Sequence, residues 1–268
     1  MVTWSRESME RLNQITVAAG HAILDYYHGR KNYQVETKQD DSPVTTADFA
    51  ANEIICEHLK QYWPYEIISE EEPLPLGLQA DSTYWLVDPL DGTQEFVDRT
   101  DDFTVNIALI TAGVPVVGSI FAPVFGSLYY GAQGLGSFRL LQDESLPSPI
   151  HARQVCDEGG HMVAVSRRVY ERAAEKIEGL DSSFEITQIG SSLKFCAIAE
   201  GLADFYPRRG KISAWDTAAG QCILEQAGGG VWAATGEPLI YDPARLLNPP
   251  FLAAGPCGEK WLKVFFTR

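Results

Sequence analysis

Trp85-Leu86-Val87-Asp88-Pro89-Leu90-Asp91-Gly92-Thr93 is the stretch on which the reading of this chain turns. The apolar run from Tyr84 to Val87 predicts a strand, and it leads directly into two carboxylates three residues apart, then a glycine and a threonine. Asp88 at the strand end and Asp91 one turn later can point at a common centre. Pro89 stiffens the bend between them and gives up an N–H that such a centre does not need. Two hard oxygen ligands suit magnesium. Gly92 lets the backbone approach a phosphate closely, and the N–H groups of Gly92 and Thr93 can hold its oxygens. Taken alone, the stretch also fits an Asp-Gly turn that merely ends a strand.

Working outward, Met9, Leu12, Ile15, Ala19, Ile23 and Tyr26 recur at helical spacing and predict a first helix over residues 5–28, stopped by Gly29. Lys38 to Val44 reads as a polar loop. Ala47 to Tyr62 predicts a second helix with Phe49, Ile54, Ile55 and Leu59 turned to the core, ended by Pro64. Strands of one sheet follow at 66–69, 84–87, 104–110, 116–121 and 127–130, with an Ala112-Gly113-Val114-Pro115 turn inside the long apolar stretch 105–125. That stretch is interrupted by Asn106, Gly113, Pro115, Gly118 and Pro123, so it does not read as a membrane span. Beyond the polar segment 142–149 the pattern alternates: strand 162–165, helix 169–178, strand 184–189, helix 193–200 and helix 214–226. A subdomain boundary falls near residue 145.

The whole-chain numbers bound the function. At 268 residues with 45% hydrophobic and 21% charged residues, the chain is long and apolar enough for one large domain or two joined ones, and disorder is excluded. Thirty-six acidic against 21 basic residues leave a net charge of −15, which repels nucleic acid and anionic lipid. An anionic substrate then needs a local attraction, and a carboxylate cluster loaded with divalent cations provides one. Five scattered cysteines with no C-x-x-C pair fit a reducing compartment. With no apolar segment near Met1, the expected location is the cytoplasm, with loose peripheral membrane association left open.

Three further acidic motifs carry two readings each. Ser69-Glu70-Glu71-Glu72 closes a strand with adjacent carboxylates, a solvated loop or a cation site. Thr45-x-x-Asp48 resembles a capping box at the start of the second helix. Ala214-Trp215-Asp216-Thr217-Ala218-Ala219-Gly220 opens a helix with an aspartate in its first turn, where it complements the dipole. An aspartyl-phosphate mechanism of the haloacid-dehalogenase kind places its two aspartates two apart, and here the gap is three, which removes its geometric basis.

In this order the four motifs resemble the magnesium-dependent, lithium-sensitive phosphatases of the inositol monophosphatase superfamily, over residues 36–235. The resemblance implies an α+β fold, a layered α/β/α/β/α sandwich of the inositol monophosphatase and fructose-1,6-bisphosphatase type. It implies a subdomain 1–145 carrying most metal ligands and a subdomain 146–268 carrying Asp216 and substrate-binding residues. By motif position, two or three Mg2+ ions would take Glu70, Asp88, the Leu90 carbonyl, Asp91 and Asp216. Glu70 and Thr93 would orient the nucleophile and Asp48 would act through metal-bound water. Asp91, Gly92, Thr93, Ser166, Ser192, Lys194 and Asp216 would contact substrate.

Within the superfamily, Gly190-Ser191-Ser192-Leu193-Lys194-Phe195-Cys196, with Ala199-Glu200-Gly201 and Tyr206-Pro207-Arg208, is most similar to the bacterial 3'(2'),5'-bisphosphate nucleotidases. Ser42-Pro43-Val44-Thr45 and the run from Asp88 to Phe96 agree with them. Lys194 suits a second phosphate where the inositol phosphatases usually carry an acidic residue. The chain departs from the nucleotidase pattern S-R-S-H at Ser166-Arg167-Arg168-Val169, where Val169 replaces the histidine and Arg168 is left to phosphate or solvent. The activity implied is hydrolysis of the 3'-phosphate of adenosine 3',5'-bisphosphate to AMP and phosphate by metal-activated water, without a covalent intermediate. The alternatives are an inositol-monophosphate or fructose-1,6-bisphosphate phosphatase on the same scaffold, and a non-catalytic metal or phosphate sensor. The partner expected is a small phosphorylated molecule, with no nucleic-acid polymer, no integral membrane segment, and a monomer or homodimer as the assembly.

Overall fold

The computed structural model describes residues 4–38, 43–156, 159–170, 177 and 183–266, the Arg168 side chain excepted. Helix α1 (Arg6–Tyr27) starts where the Ser5 hydroxyl accepts the Ser8 N–H, and it buries Met9, Leu12, Ile15, Ala19, Ile23 and Tyr27. Strands β1 (Val35–Thr37) and β2 (Pro43–Thr45) pair antiparallel, so the segment expected to be a loop ends in a short strand. Helix α2 (Thr46–Tyr62) is started by a formed Thr45–Asp48 capping box. Its inner face is Ala47, Ala51, Ile55 and Leu59, whereas Phe49, expected in the core, is exposed: alanines at a spacing of four let α2 lie close to its neighbours, and Phe49 falls outside that stripe.

Seven strands form the first sheet: β3 (Glu66–Ser69), β4 (Thr83–Asp91), β5 (Thr104–Thr111), β6 (Val114–Ala122), β7 (Ser127–Ala132), β8 (Gly136–Leu141) and β9 (Ser148–Pro149), ordered as in the chain. Only β3 and β4 are parallel; the rest is an antiparallel meander. The expected turn between β5 and β6 is present. Ala112 and Gly113 both take positive φ, 49° and 78°, as a two-residue turn matched to strand twist demands. Short helix α3 (Thr93–Val97) follows β4.

The second sheet has the order β11-β10-β12-β14-β13, from β10 (His161–Val165), β11 (Phe184–Gln188), β12 (Phe205–Arg208), β13 (Gly230–Ala233) and β14 (Phe251–Ala254). β10, β11 and β12 run parallel, and β14 pairs antiparallel with both β12 and β13. Helices α4 (Leu193–Ala199) and α5 (Ala218–Gln226) lie between the sheets, and α6 (Leu262–Phe266) covers the outer side of the second. The layers are thus α1/α2, seven strands, α4/α5, five strands and α6, the expected sandwich. α5 reaches β6 because Gly118 leaves room: a Cβ there would stand 2.5 Å from the Ala219 carbonyl oxygen. The helix expected from Ala214 starts instead at Ala218. The one expected over 169–178 falls mostly outside the described residues; within them, Arg167–Val169 forms a 3-10 turn. No described helix is long and apolar enough to cross a membrane, and all five cysteines are free.

Candidate active site

Asp88 and Asp91 do not flank a turn: β4 continues through both. In a regular strand a spacing of three would send them to opposite faces. Here Asp88 pairs with Asn106 and Asp91 with Thr104, so three steps on β4 match two on β5, and the extra residue makes a bulge. The bulge brings both carboxylates to one side, the side of Asn106 and Thr104. Pro89 sits inside this irregularity, where a ladder N–H is dispensable. The chain then leaves the sheet at Gly92, whose φ of 91° is left-handed, and enters α3.

Three acids converge. One carboxylate oxygen each from Glu70, at the end of β3, from Asp88, and from Asp216, before α5, lie within 4.8 Å of one another. Asp216 is not in the first helical turn as expected; it lies in the turn preceding the helix, where the Ser213 N–H holds it at 3.2 Å. Asp88 is 1% exposed. Burial first, then the charges of Glu70, Asp91 and Asp216, push its carboxyl far above the ordinary range. Asp216 is raised in the same way by burial, Asp91 and Glu70, and the two acids share a hydrogen bond. An all-oxygen donor set of one buried and two half-buried acids that repel one another fits a hard divalent cation, which removes the repulsion and offsets the desolvation. The Leu90 carbonyl lies beside it, its oxygen accepting the Thr93 hydroxyl at 3.2 Å while the Leu90 N–H binds Asp88 at 3.0 Å.

Asp91 is placed differently. Its Oδ2 accepts the Ser192 N–H at 2.6 Å and the Asn106 amide at 3.3 Å. Burial raises its pKa to about 6 against the pull of Lys194. Asp48, also 1% exposed, accepts the Thr45 N–H and hydroxyl on one oxygen, at 2.8 and 2.6 Å, and the Thr93 hydroxyl on the other at 3.1 Å. Burial outweighs those donors and lifts its pKa to about 6. Asp48 is therefore both the capping residue of α2 and the partner of Thr93.

The structure brings Glu70, Asp88, Leu90, Asp91, Gly92, Thr93, Asp48, Ser192 and Asp216 to one edge of the two sheets, and Ser166 ends β10 on the second. Lys194 is the exception to the expected picture. It is 4% exposed, donates to the carbonyls of Ile189 and Ser191, and stands 5.0 Å over the Tyr206 ring. Burial lowers its pKa to about 8 although Asp91 favours its charge. It faces the protein, not open solvent, because the whole run Lys194–Ala199 is buried between the sheets.

Several residues of the site escape a motif reading. Thr104 and Asn106 are fully buried, bond each other at 3.0 Å, and both bind the Ser192 hydroxyl, at 2.8 and 2.7 Å. Two polar residues two apart in an otherwise apolar strand were the available signal. Lys38 donates to Glu70 and Glu71, each at 2.6 Å. Burial opposes its charge, but the two carboxylates overcome this and raise its pKa. It comes from a polar segment with no pattern to mark it. Arg208, at the end of β12, lies close enough to depress Lys194 further.

The model of the inositol monophosphatase family matches residues 5–259. The chain belongs to the inositol monophosphatase family. Among its relatives, the 3'(2'),5'-bisphosphate nucleotidase CysQ of Salmonella typhimurium is 43% identical over 248 residues, covering 91% of this chain and 98% of that one. The protein of the same name from Escherichia coli K12 is 40% identical, with 91% and 98% covered. Of the solved structures, CysQ from Bacteroides thetaiotaomicron, described as a bacterial member of the family, matches with a TM-score of 0.78 and 33% identity over 94% of this chain and 98% of that one. An inositol monophosphatase from Anabaena matches with a TM-score of 0.74 and 27% identity over 96% and 94%.

Proposed function

We propose that this protein is a Mg2+-dependent 3'(2'),5'-bisphosphate nucleotidase that hydrolyses adenosine 3',5'-bisphosphate to AMP and phosphate. The observation that carries the reading is the convergence of Glu70, Asp88 and Asp216 within 4.8 Å beside the Gly92-Thr93 turn; the 43% identical relative of that name supports the substrate. Glu70, Asp88, the Leu90 carbonyl, Asp91 and Asp216 would hold the metal. When bound, Mg2+ would lower the pKa of a water ligand and neutralise charge on the phosphate oxygens.

The chain's own residues perform the rest. Thr93 gives its hydroxyl proton to Asp48, which leaves the oxygen's lone pairs to accept a proton from the attacking water. Asp48, with a pKa near 6, is ionised at neutral pH and close enough to it to take that proton. The first-turn N–H groups of α3 have no partner within the helix and meet the phosphate oxygens. Ser192 fixes Asp91 by its N–H, and Ser166 lines the leaving group's side from the second sheet. In this reading residues 1–145 supply the hydrolytic half and residues 146–268 supply Asp216 and the contacts that choose the substrate.

Phosphate release from adenosine 3',5'-bisphosphate, inositol 1-phosphate and fructose 1,6-bisphosphate, measured side by side with Mg2+ and with chelator, tests it. The nucleotide should be preferred and chelator should abolish all release. Preference for inositol 1-phosphate would overturn the substrate, and full turnover in chelator would overturn the metal.

A further inference from the structure

The segment between α3 and β5 takes no part in the chemistry above, yet it is held in an uncommon conformation. Arg99 and Asp101 have positive φ, 60° and 68°, a left-handed conformation that non-glycine residues keep only where neighbours enforce it. The enforcement comes from α1. The Tyr27 hydroxyl donates to Asp101 at 2.6 Å, and Arg99 donates to the Tyr27 carbonyl while its guanidinium lies 4.4 Å over the Tyr27 ring.

What this segment delivers is Asp102, 8% exposed. Its Oδ2 accepts the Arg167 Nε–H at 3.0 Å and the Gly190 N–H at 3.2 Å. The register explains the pairing: Val165 of β10 lies level with Gln188 of β11, so Arg167 and Gly190 leave the second sheet side by side. Asp102 also fills the space two glycines leave. A Cβ on Gly190 would stand 2.4 Å from the Asp102 Cβ, and one on Gly92 would stand 3.1 Å from the Asp102 carbonyl oxygen. One residue is thus wedged between the turn that carries the N–H groups of Gly92 and Thr93 and the turn whose Ser192 N–H aims Asp91.

We propose that Asp102, with Arg167 as its counter-ion, is a positioning residue that sets the separation of these two turns and thereby the aim of Asp91. It acts through Gly190 and Ser192 and touches neither the metal nor the cleaved phosphate. The proposal rests on the metal-site reading above for its consequence, and its test is arranged so that the two fail separately.

The test is calorimetric titration of Mg2+ into metal-free protein, without substrate, together with kcat and KM on whichever phosphomonoester the wild type hydrolyses best. Asp102→Ala removes both contacts and should weaken Mg2+ affinity about tenfold, the lower end of the effect of losing a group that orients a metal ligand. Asp102→Asn keeps an acceptor for Gly190 and should return to within about threefold of wild type. Gly190→Ala leaves Asp102 intact but drives a Cβ against it, and should weaken Mg2+ binding about as much as Asp102→Ala. It reports even if Asp102→Ala does not fold. A merely structural role would lower the thermal midpoint and leave Mg2+ affinity and kcat of the folded protein within twofold of wild type. That result in either Asp102→Ala or Gly190→Ala overturns the proposal, as does an asparagine variant as weak as alanine. If the wild type hydrolyses no phosphomonoester, the activity proposed above fails while the Mg2+ titration still decides the role of Asp102.

Discussion

Two pairs of aspartates, each with one buried and one half-buried member, share the site and the fold treats them oppositely. Asp48 and Asp91 are surrounded by donors: Thr45 and Thr93 for the first, Ser192 and Asn106 for the second. Asp88 and Asp216 face each other and Glu70, and each accepts a backbone N–H, from Leu90 and from Ser213. Burial is common to both sets, so partners make the difference. A carboxylate satisfied by fixed donors keeps its orientation; a carboxylate left facing other carboxylates can be relieved by a cation. The contrast separates carboxylates whose aim the protein's own donors fix, Asp91 among the proposed ligands included, from carboxylates that only a cation would relieve.

The largest effect that would break this contrast is on the binding set. Asp88→Asn should lower phosphate release by roughly three powers of ten, about 4 kcal/mol of transition-state stabilisation. The metal-free thermal midpoint should stay level or rise, because repulsion with Glu70 and Asp216 is relieved. Asp91→Asn should cost a similar factor in rate, but the Ser192 N–H keeps an acceptor, so the fold should be indifferent. If Asp88→Asn stays within a few-fold of wild type, the trio is not a metal site.

Next in size is Lys194→Ala, which sharpens the question of what an internal cation does for Asp91. If a spectator phosphate draws the ammonium from the carbonyls of Ile189 and Ser191, KM for adenosine 3',5'-bisphosphate should rise by one to two powers of ten, since a charge-assisted bond contributes ~1.5–3 kcal/mol. A monophosphate should then be little affected. Equal losses on both substrates would assign Lys194 to Asp91 and the fold, and move the inositol-type substrate ahead.

The smallest effect is on stability against pH. Carboxyls whose folded pKa lies above the unfolded value bind more protons when folded, so metal-free stability falls as pH rises through the interval between the two. For Asp48 and Asp91 that interval runs from 3.8 to about 6, and Asp88 and Asp216 extend it upward. The metal-free midpoint should be several degrees higher near pH 5 than near pH 7.5. Saturating Mg2+ should flatten the slope, and a midpoint independent of pH would contradict the raised values.

Much of this was legible in the sequence, because the acids sit in motifs whose spacing survives folding: Glu70 ends a strand, Asp88 and Asp91 precede Gly92-Thr93, and Asp48 stands three residues after Thr45. The convergence of Asp88 and Asp91 was expected too, but through a turn; what produces it is a one-residue bulge in β4, which spacing alone does not announce, and without it the two would face opposite sides. α5 starts four residues later than expected: no proline or glycine between Ala214 and Ala218 marks the boundary, while the Asn248 amide, bound to the Ser213 carbonyl and the Thr217 hydroxyl, helps hold the preceding turn open. Asp102 and Lys38 act across segments distant in sequence and carry no pattern at all.

Calorimetric titration of Mg2+ into metal-free wild type and Asp88→Asn, near pH 6 in buffers of different ionisation enthalpy, tests the central claim most directly. Acids held partly protonated by burial and mutual repulsion must give up protons when a cation binds them. The account predicts saturable binding to wild type with release of about one proton or more per protein, and binding to Asp88→Asn weakened at least tenfold. Saturable binding with no proton release, or equal binding to both proteins, would contradict it.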